Sequence, residues 1–179
     1  MIIRKASVYD ASGVAKVHYE MFFKTYSNIY PEDVMGKVDY EKTKKKWYRI
    51  LAEENDVLVA EASDGRIVGF VKGRPVEDKS YDSEISAIFV LDKYQNSGLG
   101  KDLFFGCLKE LSLNKCSSTI VWCNKDNPSV NFYESIGGEI FETKIDRIGD
   151  RDYVILGFKW DNIDTLINTY SLEDFDEEQ

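Results

Sequence analysis

Alternation of apolar and polar residues divides the chain into an ordered series of strands and helices. The opening MIIRKA reads as a short strand. Ser7 and Asp10 then form a capping box of the Ser-x-x-Asp kind. Val14, Val17, His18 and Met21 follow at i, i+3, i+4 and i+7, the spacing of one helical face. Pro31 breaks that helical region. A second helix is predicted over Tyr40 to Ala52, with Trp47, Ile50 and Leu51 facing inward. DVLVAEA and IVGFVKG are β-rich runs joined through Asp64-Gly65, a strong hairpin signal. After the loop at Pro75, SEISAIFV gives another strand, in which Ile85, Ala87 and Phe89 alternate with Glu84, Ser86, Ile88 and Val90.

Phe104, Cys107, Leu108 and Leu111 again recur at helical spacing, so a helix is predicted from Gly100 to Leu113. STIVWC reads as a strand. PSVNFYESI reads as a short helix, with Pro128 suited to its first turn and Gly137-Gly138 stopping it. EIFETKIDRI and RDYVILGFKW are two strands joined through Gly149-Asp150. The succession of strand, glycine turn, helix and strand predicts a parallel crossover, and hairpins flank it. The expected fold is therefore α/β (α+β), with a mixed sheet.

The 179 residues suit one domain with a full core, and a hydrophobic share of 43% is ordinary for a globular protein. No apolar run approaches the ~18 residues of a membrane span, and the first residues lack the apolar core of a signal peptide. A cytoplasmic protein with no membrane partner is expected. Cys107, Cys116 and Cys123 form no CxxC pair, and His18 is the single histidine. That argues against a disulfide framework and against a metal site; His18, on an apolar helical face, is expected to be a packed or capping residue. The net charge of −9 excludes nucleic acid as the expected partner. The basic run KTKKKWYR reads as a solvated helix face. The acidic end SLEDFDEEQ is expected to fray.

The turn QNSGLGKDLF carries the candidate chemistry. Read as a Walker loop, its first glycine would fall on Gln95 and its Ser/Thr on Asp102, which has no hydroxyl for Mg²⁺. Read as a dinucleotide fingerprint, its third glycine would be Leu103. The pattern Q/R-x-x-G-x-G/A fits at every fixed position, from Gln95 to Gly100. It follows a strand and opens a helix, where exposed N–H groups and the helix dipole bind an anion without metal.

This motif, with the strand before it, the later NKDNPSVNFYESIGGEIFE and the opening IRKASVYDASGVAKVHYEMF, resembles the GNAT superfamily of acyl-CoA-dependent N-acetyltransferases. The similarity spans residues 1 to about 160. It implies one domain over 1–160, with a mixed, mostly antiparallel sheet of about seven strands flanked by about four helices, and a short helix and acidic tail over 161–179. Acetyl-CoA is the implied cosubstrate. Its pantetheine would run along Ile88, Phe89 and Val90, and its pyrophosphate would sit on Gln95, Asn96, Ser97, Gly98, Leu99, Gly100 and Lys101. Asn127, and more weakly Ser129, would also contact it. Tyr133 matches the family's general acid for the leaving thiolate, and Glu84 is the candidate base. Phe22, Phe23, Tyr26 and Tyr30 are candidates for the acceptor pocket, and aromatic faces with an acidic balance suit a cationic small-molecule amine. A protein or peptide acceptor and a CoA-binding module without catalysis are the alternatives. An exposed sheet edge allows a homodimer.

Overall fold

Turn glycines and β-rich runs give seven strands, and apolar stripes give helices that cover both faces of the sheet they form. The computed structural model describes residues 1–54 and 56–176, with side chains through residue 170. In chain order the elements are β1 (Ile2–Lys5), α1 (Ala11–Tyr26), α2 (Glu32–Met35), α3 (Tyr40–Glu53), β2 (Val57–Glu61), β3 (Ile67–Pro75) and β4 (Ser83–Val90). Then follow α4 (Leu99–Leu113), β5 (Thr119–Asn124), α5 (Val130–Ser135), β6 (Glu139–Ile148), β7 (Arg151–Trp160) and α6 (Ile163–Asp176). All strands join one sheet in the order β1-β2-β3-β4-β5-β7-β6. Every neighbouring pair is antiparallel except β4–β5, the expected crossover, which α4 makes.

The sheet agrees with the sequence expectation, while one helix, α2, adds to the four expected within residues 1–160. α2 begins directly after Pro31, whose fixed φ suits a helix start, and α6 lies in the segment expected to hold a short helix. The last tail residues, 177–179, lie outside the described residues.

Two apolar layers hold the sheet. α1 and α3 pack Val14, Val17 and Trp47 against Val59 and Phe70 on one face. On the other, Phe104, Leu108 and Leu111 of α4 meet Val71, Phe158 and Trp160. The alternation expected along β4 fails at one point. Lys72 pairs with Ala87 but Gly73 pairs with Ile85, so Ser86 is an extra residue. This bulge reverses the parity of the strand. Ile85 therefore shares the α4 layer with Val90 and Ile88, while Ala87 and Phe89 turn to α1 and α3.

Asp10 does more than cap. Its carboxylate accepts from the Ser7 N–H at 2.7 Å and takes both Arg4 guanidinium nitrogens at 2.8 Å, tying β1 to the entry of α1. His18 is a packed residue, as expected. Trp47 Nε1 donates to its Nδ1 at 2.8 Å, and Phe22, Phe70 and Phe89 surround the ring. Burial lowers its pKa to about 4, with Lys46 contributing, so the imidazole is neutral.

Candidate active site

β4 and β5 share a single register pair, Glu84 with Ile120, and then part. Asp82 clamps the closed end. Its carboxylate accepts from the backbone N–H and hydroxyl of both Ser117 and Ser118, at 2.9–3.0 Å. Burial alone would raise the Asp82 pKa, but these four donors hold it below the usual carboxylate range. Ser83 Oγ adds a bond to the Ser118 carbonyl at 2.6 Å.

Past this clamp the strands enclose a cleft of about 540 Å³, a size usual for small-molecule sites. Ile85 to Val90 form one wall and Val121 to Cys123 the other. The open end meets the turn and first residues of α4. Asn96 and Gly98 there have φ of +57° and +84°, values that Asn tolerates and Gly adopts freely. No side chain caps α4 at Gly98. The first-turn N–H groups and the positive end of the dipole thus point at the cleft.

Most expected cofactor residues converge here. Ile88, Phe89, Val90, Gln95, Asn96, Gly98, Gly100 and Lys101 line the cleft, as do Asn127, Ser129 and Tyr133 from α5 and the turn before it. Gln95 is also a brace. Its Nε2 donates to the Val90 carbonyl at 2.8 Å, and its own N–H closes the turn on Asp92. The Val90 carbonyl is therefore occupied. Ser97 and Leu99 are not in the lining. Ser97 Oγ donates to the Tyr94 carbonyl at 2.7 Å, and Leu99 is buried in the α4 core. Their backbone can still shape the turn, but their side chains face away from it.

Tyr133 lies deeper in the cleft. Tyr133 is buried against Phe132, Phe158 and Trp160. Burial drives its hydroxyl far above the usual phenol range, so it keeps its proton at neutral pH. Tyr26 of α1 enters from the opposite side, its hydroxyl pushed up to about 12 by burial. Asn127 links the two sides. Its Nδ2 donates to the Tyr26 hydroxyl at 3.1 Å, while its Oδ1 accepts from the Ser129 N–H at 2.8 Å. Asn127 thus makes an Asx turn before α5, with Ser129 as the N-cap residue.

The remaining acceptor candidates stand behind Tyr26. Tyr30 stacks on it, with centroids 4.9 Å apart and planes 2° apart, and Tyr153 meets Tyr30 edge-on at 5.0 Å. Phe22 and Phe23 pack among the aromatics of α1, on Tyr26 and Tyr19 respectively, and do not line the cleft. Glu84 is also outside the lining. It sits at the closed end, 3.9 Å from Arg74 across the β3–β4 pair.

Several lining residues were not singled out in the sequence. Met21 and Thr25 lie on the same helix as Tyr26, five residues and one residue before it, and Phe132 immediately precedes Tyr133. Those positions were within reach of a periodicity argument. Trp122 and Cys123 were not, because an apolar strand reveals nothing of the gap beside it. Burial raises the Cys123 thiol pKa to about 12, so it is a poor nucleophile at neutral pH.

A parted parallel pair beside an uncapped helix N-terminus suits an extended ligand with an anionic group, and comparison with known proteins supplies the class. The Acetyltransferase (GNAT) family model matches residues 19–138. The chain belongs to the GNAT family and is an acyl-CoA-dependent acetyltransferase. It is 30% identical over 159 residues to the uncharacterized N-acetyltransferase YuaI of Bacillus subtilis (strain 168), covering 88% of this chain and 87% of that one. Among solved structures it resembles the PaiA N-acetyltransferase of Thermoplasma acidophilum in complex with coenzyme A, at 23% identity and TM-score 0.66, over 87% of this chain and 96% of that one. It also resembles a ribosomal-protein-alanine N-acetyltransferase of Brucella melitensis, at 22% identity and TM-score 0.69, over 89% and 99%. No described helix is long and apolar enough to cross a membrane.

Proposed function

We propose that the chain transfers an acetyl group from acetyl-CoA directly to the primary amine of a small cationic molecule, within a ternary complex. The observation that carries this is the parting of β4 from β5 beside the uncapped start of α4. An extended pantetheine arm fits against Ile88 and Phe89 in that gap. The pyrophosphate then falls at the N–H groups of Gly98 to Lys101, where a helix terminus favours an anion.

With the thioester in the gap, a β4 backbone N–H polarises its carbonyl. The amine nitrogen attacks the carbonyl carbon, and the C–S bond breaks as the tetrahedral intermediate collapses. Tyr133 gives its proton to the departing sulfur, and the second proton of the amine, shed as the amide forms, restores the phenol. The amine arrives mostly as an ammonium and must first lose a proton. Glu84 is our candidate for its destination. Because the carboxylate stands outside the cleft lining, that proton travels through water. Cys123 is the thiol in the lining, and its high pKa favours direct transfer over an acetyl-cysteine intermediate. The Tyr26 ring lines the cleft, backed by Tyr30, and offers an aromatic surface to a cation, and the net charge of −9 draws cations toward the protein.

The test is release of coenzyme A thiol from acetyl-CoA across a panel of polyamines, amino-acid amides and aminated antibiotics, with a peptide library in parallel. Amine-dependent release that falls by about 100-fold or more in Tyr133→Phe is expected, the range of general acid catalysis. Acetylation of peptides alone would assign a peptide acceptor instead. Coenzyme A binding with no turnover on either panel would leave a binding module.

A further inference from the structure

The family match stops at residue 138, and α6 lies beyond it. Yet α6 reaches the cleft's phosphate end. Its Tyr170 makes three contacts with one turn of α4. The ring stacks on Phe105, with centroids 3.9 Å apart and planes 12° apart. The hydroxyl donates to Asp102 Oδ1 at 2.6 Å. Lys101 Nζ lies 4.7 Å from the ring centroid, over its face. Lys101 is a cleft-lining residue, on the turn where the pyrophosphate is expected.

We propose that Tyr170 is a positioning residue of the coenzyme A site, one that holds the Lys101 ammonium at the phosphate end of the cleft. The inference rests on reading that cleft as the coenzyme A site. A lysine side chain has four flexible bonds and loses much rotamer freedom when it is fixed on a ligand. A ring face restricts the ammonium beforehand. Its hydroxyl meanwhile donates to Asp102, the acidic residue in the first turn of α4. The start of α6 is anchored separately. Ile163 is fully buried, its N–H donates to the Ser117 carbonyl at 2.9 Å, and Ser112 Oγ donates to Asp164 at 2.6 Å. The start of the helix thus has attachments of its own besides Tyr170.

Calorimetric titration with coenzyme A tests this on the full chain and on Tyr170→Leu, Tyr170→Phe, Lys101→Ala and the Tyr170→Leu/Lys101→Ala pair. Leucine keeps apolar bulk against Phe105 and removes both the π face and the hydroxyl. Binding should weaken about three- to tenfold in Tyr170→Leu, the range of one cation–π contact. Phenylalanine, which keeps the face, should bind within about twofold of the unaltered chain. In the Lys101→Ala background Tyr170→Leu should have no further effect, since Tyr170 acts through Lys101. An equal loss in both backgrounds would make Tyr170 a packing residue and overturn the inference, as would undiminished binding in Tyr170→Leu. If the unaltered chain fails to bind coenzyme A, the reading of the cleft falls, and this inference falls with it.

Discussion

Gly98 and Gly100 stand two residues apart in one turn, yet alanine should have opposite effects at the two positions. Gly98 has a φ of +84°, and a Cβ there would meet nothing within 4 Å. The penalty is purely that of the backbone, about 1–2 kcal/mol for an L side chain in the left-handed region. Reduced freedom of the unfolded chain offsets about 0.4–1 kcal/mol of it. The net loss is about 1 kcal/mol. Gly100 lies in the first turn of α4, and its Cβ would rest 3.7 Å from Phe132 Cε2, an ordinary contact. Alanine there gains helix propensity, about 0.5 kcal/mol so near the terminus. A change of 1 kcal/mol shifts the melting temperature of a chain this size by about 2–4 °C. Scanning calorimetry should therefore find Gly98→Ala melting about 3 °C lower and Gly100→Ala about 1–2 °C higher. Coenzyme A binding should follow a different order. Gly98→Ala re-aims the amides of the turn and weakens it, whereas Gly100→Ala preserves it, because the motif admits alanine at that place. Melting shifts of the same sign, or Gly98→Ala unfolding with the unaltered chain, would refute the account of the turn.

Two further outcomes follow from buried polar groups. His18 is neutral when folded, with a pKa near 4 against 6.5 unfolded. The unfolded chain binds the proton first, so stability is full above pH 6.5 and falls as the pH drops toward 4, by up to about 3 kcal/mol. Urea unfolding between pH 7 and 5 should show that slope, and His18→Gln, which keeps an acceptor for Trp47, should flatten it. Asp82→Ala leaves four Ser117 and Ser118 donors without their acceptor. It should cost about 2 kcal/mol or more in chemical denaturation and raise the KM for acetyl-CoA. An unchanged KM would separate the clamp from the cleft.

Local pattern specified local structure well. The span Ser83 to Val90, the helix ending at Leu113 and the turn at Gly149-Asp150 were all legible, because periodicity and turn chemistry act between near neighbours. Long-range facts were not. The bulge at Ser86 depends on how β3 pairs with β4, so strict alternation placed Ala87 on the face of Ile85 and was wrong there. The motif located the turn and Tyr133, but it treated Ser97 and Leu99 as equals of Gly98, although one faces outward and the other fills the core. Tyr26 was suggested by aromatic density, yet its bond to Asn127 spans 101 positions and has no local signature. Phe22 and Phe23 carried the same density and serve packing.

The gap between β4 and β5 also divides the sheet into a four-strand and a three-strand portion. Within the first, β2, β3 and β4 pair in sequence order, and within the second, β6 and β7 form a hairpin that receives β5. Each portion is assembled largely from short-range partners, which close at little entropic cost. The join between them is a seam of one register pair and the Asp82 clamp, spanned by α4. The join that makes the two portions one sheet is thus also the edge of the cleft, so whatever loosens it changes the width of the gap that admits a ligand.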